Sequence, residues 1–172
     1  MRGLLIANLC AAGLLLGVPA QSSKTLRNLA KAQERYDKAN SPVDRAKAMK
    51  KLGDEEYRAA REALKDGNQK EALQYLQDYY QQASRAHEEL DKMGVDAEKH
   101  SNGFRQLQIS VRERARELKE LVGRVAYDQR KPFEEIEKGL DELSQKLILE
   151  LFPGHSKHNK DEKAGNDLGA VP

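Results

Sequence analysis

The chain has 172 residues, with 30 basic side chains against 28 acidic ones, one cysteine and no tryptophan. Charged residues make up 34% and aromatics only 5%, so a core must be aliphatic, and 12 glycines and five prolines are too few for a loop-rich all-β protein. A net charge of +2 excludes a strongly polyanion-seeking protein, and a single cysteine excludes a disulfide framework within the chain.

Met1-Arg2 opens the chain with one positive charge. An apolar run from Gly3 to Val18 follows, interrupted by Asn8, and Val18-Pro19-Ala20 then places small residues at −3 and −1 before Gln21. That layout predicts a secretory signal peptide over residues 1–20, cleaved after Ala20, or else retained as an N-terminal anchor. Cys10 lies inside the apolar run after Asn8-Leu9, which does not fit a lipidation site. Removal of the leader leaves about 152 residues without sulfhydryl groups, so thiol catalysis, iron–sulfur ligation and covalent haem attachment are excluded together. The expected destination is the periplasm or the exterior, with no membrane span after cleavage.

Residues 21–152 read as one helical domain. Ala72, Leu76, Tyr79, Ala83, Ala86, Leu90 and Met93 recur at steps of four and three. Phe104, Leu107, Val111, Ala115, Leu118, Val122 and Val125 do the same, as do Phe133, Ile136, Leu140, Leu143, Leu147 and Leu151. Each series places a narrow apolar stripe along one side of a helix. The expected fold class is all-α, an antiparallel bundle or set of helical hairpins with four to five helices. Punctuation suggests the boundaries. A first helix runs from about Thr25 to Ala39, and Ser41-Pro42 with Asp44 opens a second that reaches about Asp66. Gly67-Asn68 makes a sharp turn, and a third helix runs from about Gln69 to Met93 with Gly94 as its cap. His100-Ser101-Asn102-Gly103 reads as a loop, Phe104 to Tyr127 as the fourth helix, Gln129 to Pro132 as a junction, and a last helix closes at Phe152-Pro153-Gly154. Residues 153–172 are polar and read as a disordered tail.

Charge alternates along these segments. Residues 24–51 carry nine basic and three acidic groups, residues 52–103 seven and twelve, residues 104–131 eight and four, and residues 132–152 two and six. If short turns make successive helices antiparallel neighbours, each basic segment lies beside an acidic one, and wrong pairings bring like charges together. Glu113, Glu117 and Glu120 interleave the basic run Arg112-Glu113-Arg114-Ala115-Arg116, and no aromatic platform accompanies it. Nucleic-acid binding is therefore not expected.

Gly67-Asn68-Gln69-Lys70-Glu71-Ala72-Leu73 with Leu76 resembles the middle of a tetratricopeptide unit, with its Gly-Asn turn, small Ala72 and groove-filling Leu76. Ala63, Tyr79 and Ser84 depart from that pattern, so the resemblance implies one degenerate hairpin. The overall layout, with its leader, Gly103-Phe104-Arg105-Gln106-Leu107, Arg130-Lys131-Pro132-Phe133 and Leu151-Phe152-Pro153, also resembles exported bacterial helical-bundle proteins, a likeness that implies no particular activity.

Reactive constellations are hard to find. A di-iron bundle needs Glu three residues before His, but Ser84, Ala97, Phe152 and His155 hold those places before His87, His100, His155 and His158. His155 and His158 could hold zinc or copper weakly from the tail. The pairs Glu88-Glu89 and Glu134-Glu135 point about 100° apart on a helix and do not converge on one substrate atom. No catalytic, cofactor or metal residue is assigned, and an enzyme is not expected. Tyr57, Tyr75 and Tyr80 are the candidate partner contacts, because tyrosine is enriched at interfaces. The expected function is an exported, non-enzymatic interaction or scaffold module with a protein partner or self-association through its heptads. The alternative is a periplasmic ligand- or metal-binding helical carrier or sensor.

Overall fold

Ser41 accepts a hydrogen bond from the Asp44 amide at 3.1 Å, Pro42 occupies the first helical position, and Asp44 meets the positive end of the helix dipole. Asn68 caps the next helix in the same way through the Glu71 amide, after Gly67 has turned the chain at φ 75°. These signals divide the computed structural model, which describes residues 23–154. Residues 1–20 with the cleavage point after Ala20, and the tail with His155 and His158, lie outside the described residues. The described helices are α1 (Ser23–Asp37), α2 (Pro42–Lys65), α3 (Gln69–Asp91), α4 (Asn102–Val122) and α5 (Lys131–Leu151), with a 3-10 turn at Tyr127–Gln129. The fold is all-α. No helix among the described residues is long and apolar enough to cross a membrane.

The three stripes bury as their spacing requires. Leu76, Tyr79, Ala83 and Leu90 on α3 meet Leu107, Val111 and Leu118 on α4 and Phe133, Leu140 and Leu147 on α5 in one continuous core. Met93 is the exception: α3 ends at Asp91, the turn that follows carries Met93 outward, and its side chain is exposed.

Helix order departs from the expectation of antiparallel neighbours throughout. Around the bundle the sequence is α2, α3, α5, α4, with α3 and α4 on a diagonal and α1 laid on the outside of α2. Gly53 of α2 faces Arg114 of α4 and Arg61 faces Glu117, so those two helices run parallel. Tyr80 meets Gly139 and His87 meets Glu150, so α3 and α5 run parallel as well. The cause is the long connection after Asp91, which lets the chain cross the end of the bundle. Successive helices of opposite sign still pair, α2 with α3 and α4 with α5, as the alternation along the chain suggested; only the step from α3 to α4 departs from it, and it adds the like-signed pairs α2 with α4 and α3 with α5.

Two boundaries shift for identifiable reasons. Asn102 and Gly103 belong to α4, and Gly103 is buried where a β-carbon would meet Leu90 at 2.7 Å, so this glycine serves close packing and not a loop. At the other end α4 stops at Val122. Arg130 turns back to donate to the Val125 carbonyl at 2.8 Å, satisfying an acceptor near the helix terminus, and Tyr127 stands 88% exposed in the short 3-10 turn.

Gly53 sets the α2 contact with α3 and α4. A β-carbon there would stand 2.6 Å from the Tyr79 ring and 3.2 Å from an Arg114 methylene, and Tyr79 is fully buried and held by Ser110. Gly53→Ala is expected to lower stability by about 1–3 kcal/mol in urea unfolding, although alanine is the better helix former by about 1 kcal/mol. A stabilised variant would show that the contact yields freely.

Candidate functional site

α3 and α5 both carry more acidic than basic side chains and run side by side, and His87 stands between their facing groups. It sits beside the α3 stripe, between Ala83 and Leu90, and is only 3% exposed. Its Nε2 lies 2.9 and 3.0 Å from the two carboxylate oxygens of Glu150 and 3.9 Å from Asp91 Oδ2. Asp91 follows His87 by one helical turn, so both project toward α5. Glu150 stands between Leu147 and Leu151 and is carried inward by their burial. Lys146 closes the outer side, its ammonium 3.5 Å from Asp91 and 3.8 Å from Glu150. One imidazole nitrogen and two carboxylate oxygens, all within 4.8 Å of one another, make a mixed nitrogen–oxygen donor set.

A second polar group lies under α1. Glu56 is 3% exposed; its Oε1 accepts from Gln82 Nε2 at 3.3 Å, while its Oε2 and Gln82 Oε1 have no hydrogen-bond partner among the described residues. Burial, reinforced by Asp78, pushes the Glu56 carboxyl up to about 9. A proton on Glu56 turns one of two crowded acceptors into a donor. Tyr36 of α1 donates to the Gln82 carbonyl at 3.0 Å and Thr25 donates to Glu62 at 2.8 Å, fastening α1 over this region.

The third group joins α2 to α4. Arg114, 7% exposed, pairs with Glu117 at 3.0 Å and Asp54 at 3.4 Å and lies 5.3 Å over the Tyr57 ring. Arg114 is thus an internal fastener within the basic run of α4. Tyr57 meets Tyr79 edge-on at 5.6 Å, and Tyr79 shares a 2.9 Å hydrogen bond with Ser110.

The three tyrosines named as contacts do not form one surface. Tyr57 is 0% exposed, because α2 is covered on that side by both α3 and α4, and a side chain sealed from solvent cannot meet a partner. That contact is withdrawn. Tyr80 is half-buried and packs on Gly139 of α5, and Tyr75 is half-buried with its hydroxyl donating to Glu71 at 2.9 Å. The residues that do converge are His87, Asp91 and Glu150. A glutamate before His87 was the wrong pattern to seek; the aspartate one turn after it was legible, while Glu150 was not, because only the parallel pairing of α3 and α5 delivers it.

Two outcomes follow for the buried groups. A carboxyl raised in the folded state adds stability below its unfolded pKa near 4.5 and loses it as pH rises toward 9. Glu56→Gln is therefore expected to match the parent in urea unfolding at pH 4 and exceed it by about 1–3 kcal/mol at pH 8; equal stability at both values would refute the buried acid. Tyr57→Phe removes a buried hydroxyl that has no partner and should leave stability unchanged or raise it by up to about 1 kcal/mol. Tyr79→Phe orphans Ser110 and should cost about 1 kcal/mol, and the reverse order of the two variants would contradict this assignment.

Comparison of the chain with protein-family models, with curated proteins and with solved structures finds no match.

Proposed function

We propose that this is an exported, non-enzymatic helical bundle that works by contact with another protein, and that α5 carries the contact face. The leader-like segment at residues 1–20 supports export. The observation that carries the contact reading is the outer face of α5. Glu134, Glu137, Asp141 and Glu142, with Lys138 and Lys146 among them, line a shallow depression there, and Leu149, 51% exposed, lies at its far end. Partial desolvation raises the Glu137 carboxyl above its ordinary range against the opposing pull of Lys119, and Asp141 and Glu134 add to the rise. A depression with four acidic groups against two lysines, ending in an apolar side chain, suits a basic amphipathic helix with one or two large apolar anchors.

A photo-crosslinker placed at Leu149 in cells should give a discrete product, and one at Lys50 of α2 should not. Glu137→Lys with Asp141→Lys should lower that product roughly tenfold at moderate salt. Equal labelling from both positions, or indifference to charge reversal, would defeat the reading; light scattering distinguishes a second copy of the chain from a different partner. A second reading, a metal- or ligand-binding bundle, is favoured by the His87, Asp91 and Glu150 group.

A further inference from the structure

We propose that His87, Asp91 and Glu150 form a binding site for a borderline divalent transition ion of the zinc class, an inference that deepens the second reading above. An imidazole nitrogen with two carboxylate oxygens selects such ions over magnesium and calcium, which prefer all-oxygen shells. Three protein ligands leave a coordination position for water or a small anion.

The geometry is close to what the ion needs. Ligand atoms about 2.0–2.1 Å from a tetrahedral zinc stand about 3.3 Å from one another. His87 Nε2 is 2.9 Å from Glu150 and 3.9 Å from Asp91, so one separation opens by about 0.4 Å and the other closes by about 0.6 Å. Rotation of two partly exposed carboxylate side chains achieves both. The imidazole barely needs to move, because it is buried between the α3 and α5 stripes and already aimed at the carboxylates. Preorganisation of the least mobile ligand lowers the entropic cost of binding.

The surroundings also demand a cation. Two acidic helices run parallel with Asp91 and Glu150 brought to one point. Lys146 meets part of that demand with an ammonium held at 3.5 Å or more from either carboxylate, on a side chain more than half exposed. Such a loose, solvent-exposed ion pair is weak and gives way to an inner-sphere metal–carboxylate bond. Lys146 is thus a competitor for the site, and its removal should tighten metal binding, which a purely structural salt-bridge cluster would not do.

The test is calorimetric titration of the full chain with Zn²⁺. To silence the tail it is repeated in a chain carrying His155→Asn and His158→Asn. One Zn²⁺ per chain is expected, with a Kd of about micromolar magnitude. Asp91→Asn and Glu150→Gln should each weaken it at least tenfold, Lys146→Gln should tighten it several-fold, and millimolar Mg²⁺ should not compete. Asp91 lies at the exposed end of α3, so its variant keeps the fold, as circular dichroism would verify. Independently of any ligand variant, Co²⁺ added to the parent chain should shift the ring resonances of His87. Zinc binding that disappears with the tail histidines overturns this site and moves metal carriage to the tail. Binding indifferent to Asp91 and Glu150, or an unshifted His87 ring, overturns it outright.

Discussion

A helix with neighbours on three sides keeps only a narrow polar strip in water, and α2 is in that position, pressed by α1, α3 and α4 with Lys47, Lys50, Lys51 and Arg58 left exposed. Its sequence answers with small residues: Ala46, Ala48, Ala59, Ala60 and Ala63 are buried, and Gly53 admits the Tyr79 ring. Small side chains bring axes close and multiply dispersion contacts, but each buries little apolar area. The larger volumes come from Tyr57, Met49 and Leu52 of α2 itself and from Tyr79, Leu76, Leu107 and Leu118 of its partners. The same crowding traps polar groups. Glu55 is sealed from solvent and is satisfied by Lys51 at 2.5 Å and Arg58 at 2.7 Å, whereas Glu56 has only Gln82 and keeps its proton instead. Two adjacent glutamates thus meet opposite fates because consecutive helix positions face different neighbours.

The diagonal crossing between α3 and α4 has an electrostatic consequence. It sets α2 beside α4 and α3 beside α5, so charge must be balanced by individual side chains and not by whole segments. Between α2 and α4 the balance is local: Arg114 draws in Asp54 and Glu117, and Arg61 shares Glu117. Between α3 and α5 it rests on His87, held against Glu150, and on Lys146, which reaches in from the surface.

Local order was legible in the residues themselves. The cap at Ser41, the turn at Gly67-Asn68 and the buried stripes of α3, α4 and α5 follow from backbone chemistry and from a period of 3.6, both of which are written within a few residues of chain. Gly103 misled, because a glycine that loosens a loop and a glycine that admits Leu90 are the same letter. Tyr57 misled for a similar reason: an amphipathic ring suits an interface and a core equally well, and only the covering of α2 by α3 and α4 decides between them.

Helix identity and the inward edge of each helix were therefore determined by sequence alone, since both depend on interactions no longer than one or two turns. Which helices became neighbours, and in which direction, was decided by the tertiary structure. The connection from Lys92 to Ser101 permits either an adjacent or a diagonal return, and the diagonal one brings Gly53 of α2 against Arg114 of α4 and Gly139 of α5 against Tyr80 of α3. The meeting of His87 with Glu150, 63 residues apart, exists only as a result of that choice.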